Sequence, residues 1–132
     1  PVRTRRRCKN GGGEFMTLLL EGLNRIRDLV SADIDKGQLG TGTSISTEDD
    51  TSLQTADAVT NLTVTKTTAS KQINFGYTLP STGGTNTTYT EFELRKDATP
   101  VNYDRIGFTG ISFTPNGTEE ITITKRYFIR RV

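Results

Sequence analysis

Glu91 and Glu93 stand two residues apart in a stretch that alternates polar and apolar side chains. As a strand, that stretch would put both carboxylates on one face, the placement a glycoside-cleaving acid and nucleophile need. Two charges on one strand face are also what a solvent-facing strand displays, and exposure is the expectation here. A second acidic group, Glu48, Asp49, Asp50 and Asp57, offers the hard oxygen ligands calcium takes, yet lacks the regular ligand spacing of a calcium loop. A solvated acidic loop is expected. Gly37, Gly40 and Gly42 lie close together without the Gly-Lys-Ser/Thr that a phosphate-cradling loop requires. The chain has no His and no Trp, so the commonest general base and metal ligand is missing. Its single cysteine, Cys8, lies in an arginine-rich arm and excludes a disulfide within the chain. No enzyme, cofactor or metal is expected, and a structural or binding role leads.

Charge is concentrated at the start. Arg3, Arg5, Arg6, Arg7 and Lys9 precede Gly11, against the single acid Glu14, while the net charge of the whole is only +2. A near-neutral body with one cationic arm, 1–15, follows from that asymmetry. These five cations would contact packaged nucleic acid, lie across an acidic neighbouring protein, or remain a solvated tail. The neighbouring protein is favoured. A nucleic-acid arm belongs to a protein lining the inside of a shell, and no aromatic is interleaved to stack on bases. Pro1 fits a start methionine removed ahead of proline; the competing reading makes 1–15 a vector-derived leader with Met16 as the start.

The 132 residues suit one domain that buries roughly two thirds of its surface. At 32% hydrophobic and 8% aromatic, its core is thin, so burial is expected to be completed by copies of the same chain. No stretch approaches the roughly 20 apolar residues of a membrane span.

The elements that would position these groups follow from periodicity. Leu19, Leu23, Ile26 and Val30 recur every three or four residues and predict a helix over about 17–30, with Thr17 as N-cap and Arg25, Arg27 and Asp28 outward. Residues 31–60 read as irregular, punctuated by glycine. From 61 to 132 the period is two. Leu62 and Val64, Ile73 to Tyr77, Tyr89 to Leu94, and the pairs around Gly107 and Gly110 alternate, the two glycines hinting at a bulge. Pro115-Asn116-Gly117 predicts a turn joining the last two strands as a hairpin. The fold expected is mainly β: an antiparallel β-sandwich, jelly-roll-like or immunoglobulin-like, preceded by one helix and an extended basic arm, with 16–132 as a single domain. Tyr77, Tyr89, Tyr103 and Tyr127 would pack between strands or line a sugar-binding face, and packing is favoured. Asn61, Asn86 and Asn116 each open an Asn-X-Thr triplet, matches that arise by chance in so Thr-rich a chain.

Gly22-Leu23-Asn24-Arg25-Ile26-Arg27-Asp28, Gly40-Thr41-Gly42-Thr43, Asp50-Thr51-Ser52-Leu53 and Tyr89-Thr90-Glu91-Phe92-Glu93-Leu94 together resemble small virion structural proteins of tailed viruses of bacteria and archaea, often labelled tail-fibre proteins. The closing strands, Arg105 to Phe108 and Glu120 to Phe128, are similar too. Ser44-Ile45-Ser46 replaces that family's usual Thr-Ala-Pro-like turn, and the arginine arm is an addition to its pattern. The resemblance implies a virion component present in many copies, contacting a major capsid or tail protein. Two roles are open: a decoration or cement protein on the capsid exterior, or a tail-fibre or baseplate module binding a host receptor or glycan. A free carbohydrate-binding module is the third possibility.

Overall fold

The computed structural model describes residues 19–99 and 101–130. The cations Arg3, Arg5, Arg6, Arg7 and Lys9, and the expected cap Thr17, lie outside these. Helix α1 covers 19–33, three residues past the expected end. Lys66 Nζ donates to the Ser31 and Ile34 carbonyls at 2.6 and 3.0 Å, so a cation meets the negative end of the helix and satisfies carbonyls that have no partner within it. Along its side, Arg27 donates to the Ala69 carbonyl, and Asn24 Oδ1 accepts the Lys71 N–H. Arg27 is thereby turned to the body, not outward as expected.

Seven strands follow: β1 (Lys36–Gly40), β2 (Leu62–Thr63), β3 (Thr65–Ala69), β4 (Gln72–Leu79), β5 (Thr87–Lys96), β6 (Val101–Phe113) and β7 (Ile121–Phe128). They form two antiparallel sheets, ordered β2-β1-β5-β6 and β3-β4-β7. The inner faces share one core: Leu39, Phe92 and Leu94 from the first sheet meet Ile73, Phe75, Tyr77 and Leu79 from the second. Phe75 packs edge-on to Tyr127, and Tyr77 to Phe92. Mainly β structure in two facing sheets is what period-two alternation predicted. The strand order differs from the A-B-E-D and C-F-G sheets of an immunoglobulin constant domain, and seven strands are one short of a jelly roll.

Three expectations are corrected. Residues 31–60 are not irregular throughout, because β1 lies inside them and pairs with β5 over its whole length. Its glycines are there for space: a Cβ on Gly37 would come within 2.7 Å of Tyr77 and 2.9 Å of the Phe92 ring. Pro115 to Gly117 makes a turn, with Asn116 at φ 63°, but not a hairpin. β6 pairs with β5 and β7 with β4, so this turn carries the chain from one sheet to the other, tied down by Asn116 N–H to the Ser81 carbonyl at 2.7 Å. Nor is the alternation broken over 100–103, as the proline there leads one to expect from sequence, since among the described residues β6 is continuous from Val101 to Phe113. The expected bulge is present, as a register shift between Tyr89 and Glu91 where β6 carries the extra residues.

Candidate functional site

On the outer face of the four-stranded sheet, β5 presents Glu91 and Glu93, and β6 presents Arg105. Residues 41–57 leave the end of β1, cross this face and return beside β1 at the Gly40–Ala56 bridge; they form a strap. Both glutamates are buried, Glu91 at 0% and Glu93 at 2% exposure, against the expectation of a solvent-facing pair. The alternation of β5 could not reveal the strap above it. Leu53, 5% exposed, is a weak sequence signal that something there is covered, because the same largely polar segment also carries Ile45, which is 88% exposed.

Glu91 is the fastening point. Oε1 accepts the N–H groups of Gly42 and Thr55 at 3.1 and 2.8 Å, Oε2 accepts Gln54 N–H at 3.2 Å, and Arg105 Nε and Nη2 reach Oε2 at 2.8 and 2.7 Å. Burial alone would raise its pKa. The donors from Thr55, Arg105, Gln54 and Gly42 outweigh that and hold it below the usual carboxylate range. Arg105 extends the knot, donating to Asp50 Oδ2 at 2.9 Å and to the Ser44 carbonyl at 3.0 Å. Gly40 and Gly42 are needed because a Cβ on either would lie 2.5–2.7 Å from the Glu91 carboxylate.

Glu93 differs. Its Oε2 has no hydrogen-bond partner, and Arg95 Nε, also unpartnered, stands 3.9 Å from Oε1. Burial pushes its pKa up to about 7 against the pull of Arg95. A carboxylic acid poised near neutrality in a cleft is a candidate general acid, but this one is sealed under the strap beside a Glu91 whose oxygens are all engaged. The pair can fasten and respond to pH; it has no open approach for a substrate.

The clefts around the strap are open and shallow in chemistry. One of about 560 Å³ runs between 42–46 and β6, lined by Ile45, Thr90, Arg105, Ile106 and Phe108. Its one charged group, Arg105, is already committed to Glu91 and Asp50. A smaller cleft of about 200 Å³ is rimmed by Glu48, Asp50 and Asp104. Asp57 accepts the Tyr89 hydroxyl at 2.6 Å and caps the turn at Val59, away from Asp50. Among the described residues, no group of three acidic, His or Cys side chains converges as metal ligands would.

The tyrosines mostly pack between strands. Tyr77 and Tyr89 are buried; the Tyr77 hydroxyl donates to the Thr60 carbonyl at 2.6 Å, and Tyr127 is half-buried and donates to Asp104 Oδ2 at 2.6 Å. Burial raises the Tyr89 pKa to about 12. Tyr103 alone stays substantially exposed, bonded to Asp33. A continuous aromatic sugar platform is therefore not formed by these four. Asn61 is half-buried and donates to Asp97, whereas Asn86 and Asn116 are exposed.

No protein family, curated protein or solved structure matches this chain.

Proposed function

We propose that this chain is a non-enzymatic structural protein on the exterior of a tailed-virus particle, of the capsid decoration or cement kind, working in many copies. The observation that carries the reading is a convergence. Four short motifs that resemble virion structural proteins are separate in sequence, and three of them meet at one knot: Gly42 binds Glu91, Asp50 binds Arg105, and Leu53 is a buried residue of the strap. The meeting of these motifs is thus accounted for by the fold they fasten, without appeal to catalysis. The fourth, Gly22 to Asp28, lies on α1, which is where uncovered apolar surface is concentrated.

In this role the cations Arg3, Arg5, Arg6, Arg7 and Lys9 reach an acidic patch of a neighbouring capsid or tail protein, and the sandwich faces outward. The tail-fibre or baseplate alternative, binding a host receptor or glycan, draws support from the exposed Thr/Asn/Gly loops at 80–86 and 114–120, which meet at one tip through the Asn116–Ser81 bond. Quantitative mass spectrometry of purified particles of the virus encoding the chain tests both. Hundreds of copies per particle are expected for decoration; a few to several tens would favour the tail, and none would overturn the proposal.

A further inference from the structure

Nine large hydrophobic residues are exposed among the described residues, and three of them, Leu20, Ile26 and Leu29, lie on α1 at 42, 49 and 53%. A helix advances about 100° per residue, so the apolar arc from Leu29 round to Leu20 spans roughly 180°. One buried face needs only about 100°. The body takes the sector of Asn24, Arg27 and Val30. The sector of Gly22, Ile26 and Leu29 is left over. Its 4-3 spacing is that of a seam between two packed helices, and a Cβ on Gly22 would find nothing within 4 Å.

We infer that α1 pairs antiparallel with α1 of a second copy about a two-fold axis near Ile26. Reversal about the midpoint between Arg25 and Ile26 sets Leu29 of each copy over the open Gly22 of the other, because the two residues lie equally far from that point on opposite sides. The Ile26 side chains of the two copies meet beside the axis. The same reversal brings Arg25 alongside the partner's Asp28, whose Oδ1 is held by its own Arg27, so opposite charges flank the apolar strip on its solvent side. A two-fold contact of this kind is self-complementary and closes. Two short helices bury less than the roughly 1,200–2,000 Å² of a stable complex, so the pair is concentration-dependent.

The partner's identity rests on the many-copy reading above, while the test is independent of where in a particle the chain sits. Sedimentation of the full chain with Cys8→Ser is expected to show a dimer that dissociates on dilution, and Leu29→Glu to remain monomeric at every concentration with an unchanged melting temperature. Mixing chains that carry Cys8→Ser with either Gly22→Cys or Leu29→Cys, under oxidising conditions, is expected to give a 22–29 disulfide between them in preference to 22–22 and 29–29. That second readout stands even if Leu29→Glu fails to fold. A monomer at millimolar concentration, a trimer or larger assembly, or a predominance of 22–22 and 29–29 bridges would overturn the pairing; the virion assignment is judged separately by copy counting.

Discussion

Arg105 sits directly across the ladder from Glu93, yet its guanidinium turns to Glu91, two residues along, and binds Oε2 through both Nε and Nη2. The choice divides the two carboxylates. Glu91 becomes an anchor whose ionised form is favoured, and Glu93 is left in a dry site where its charge is disfavoured.

Glu91→Ala strands the N–H groups of Gly42, Gln54 and Thr55 together with a guanidinium that is 5% exposed. Removing one partner of such a buried pair costs about 3–5 kcal/mol. Urea denaturation is expected to show a loss of that size, with Glu91→Gln intermediate. Limited proteolysis of the alanine variant should cut first within 41–57; cleavage elsewhere would mean that Glu91 does not fasten the strap.

The two glutamates give opposite pH trends. Glu93 has its folded pKa raised to about 7 from 4.5, so the folded state binds the extra proton: its contribution is fully present below pH 4.5 and is lost as pH rises through 7, roughly 3 kcal/mol in all. Glu91 has its folded pKa lowered, so its contribution is present above the ordinary carboxylate value and is lost as pH falls through the depressed one. Melting temperature against pH is therefore expected to drop between pH 5 and 8 in the native chain and to flatten in Glu93→Gln. Parallel curves for the two proteins would count against a buried, neutral Glu93.

Gly37→Ala places a methyl group 2.7 Å from Tyr77 and 2.9 Å from Phe92. Both rings belong to the core and cannot swing into solvent, so overpacking of about 1–3 kcal/mol is expected. A thermal melt reads it directly, and an unchanged midpoint would show that the core yields more easily than its packing implies.

Across the open side of the sandwich, Asp104 on β6 accepts the Tyr127 hydroxyl and the Lys125 ammonium at 2.6 and 2.9 Å. Tyr127→Phe leaves Lys125 as partner, so a loss of about 1.5 kcal/mol is expected, at the low end for a bond to a charged acceptor. A double-mutant cycle with Asp104→Asn separates the pair from its surroundings; additive losses would show no coupling.

How much was legible in the residues depended on whether the deciding neighbour was local. Ile73, Phe75 and Tyr77 alternate within one strand, and their inward face was readable. β1 was not, because Gly37 and Gly40 are explained chiefly by Tyr77, Phe92 and Glu91, which arrive from 40 to 55 residues later in the chain. The burial of Glu91 and Glu93 was hidden for the same reason. Pro115-Asn116-Gly117 announced a turn correctly, but turn chemistry does not specify which strand the chain joins next, and here it changed sheets.

The pairing of β1 with β5 also orders events in time. Lys36 and Gly37 can pair with β2 early, but residues 38–40 have no ladder partner, and the glycines of 40–42 no carboxylate to bind, until Glu91 to Glu93 have been made. During synthesis the β3–β4 hairpin can form while this end of β1 waits, so the distant contacts close last. Premature stops before Arg95 are expected to yield aggregates instead of shortened but compact products.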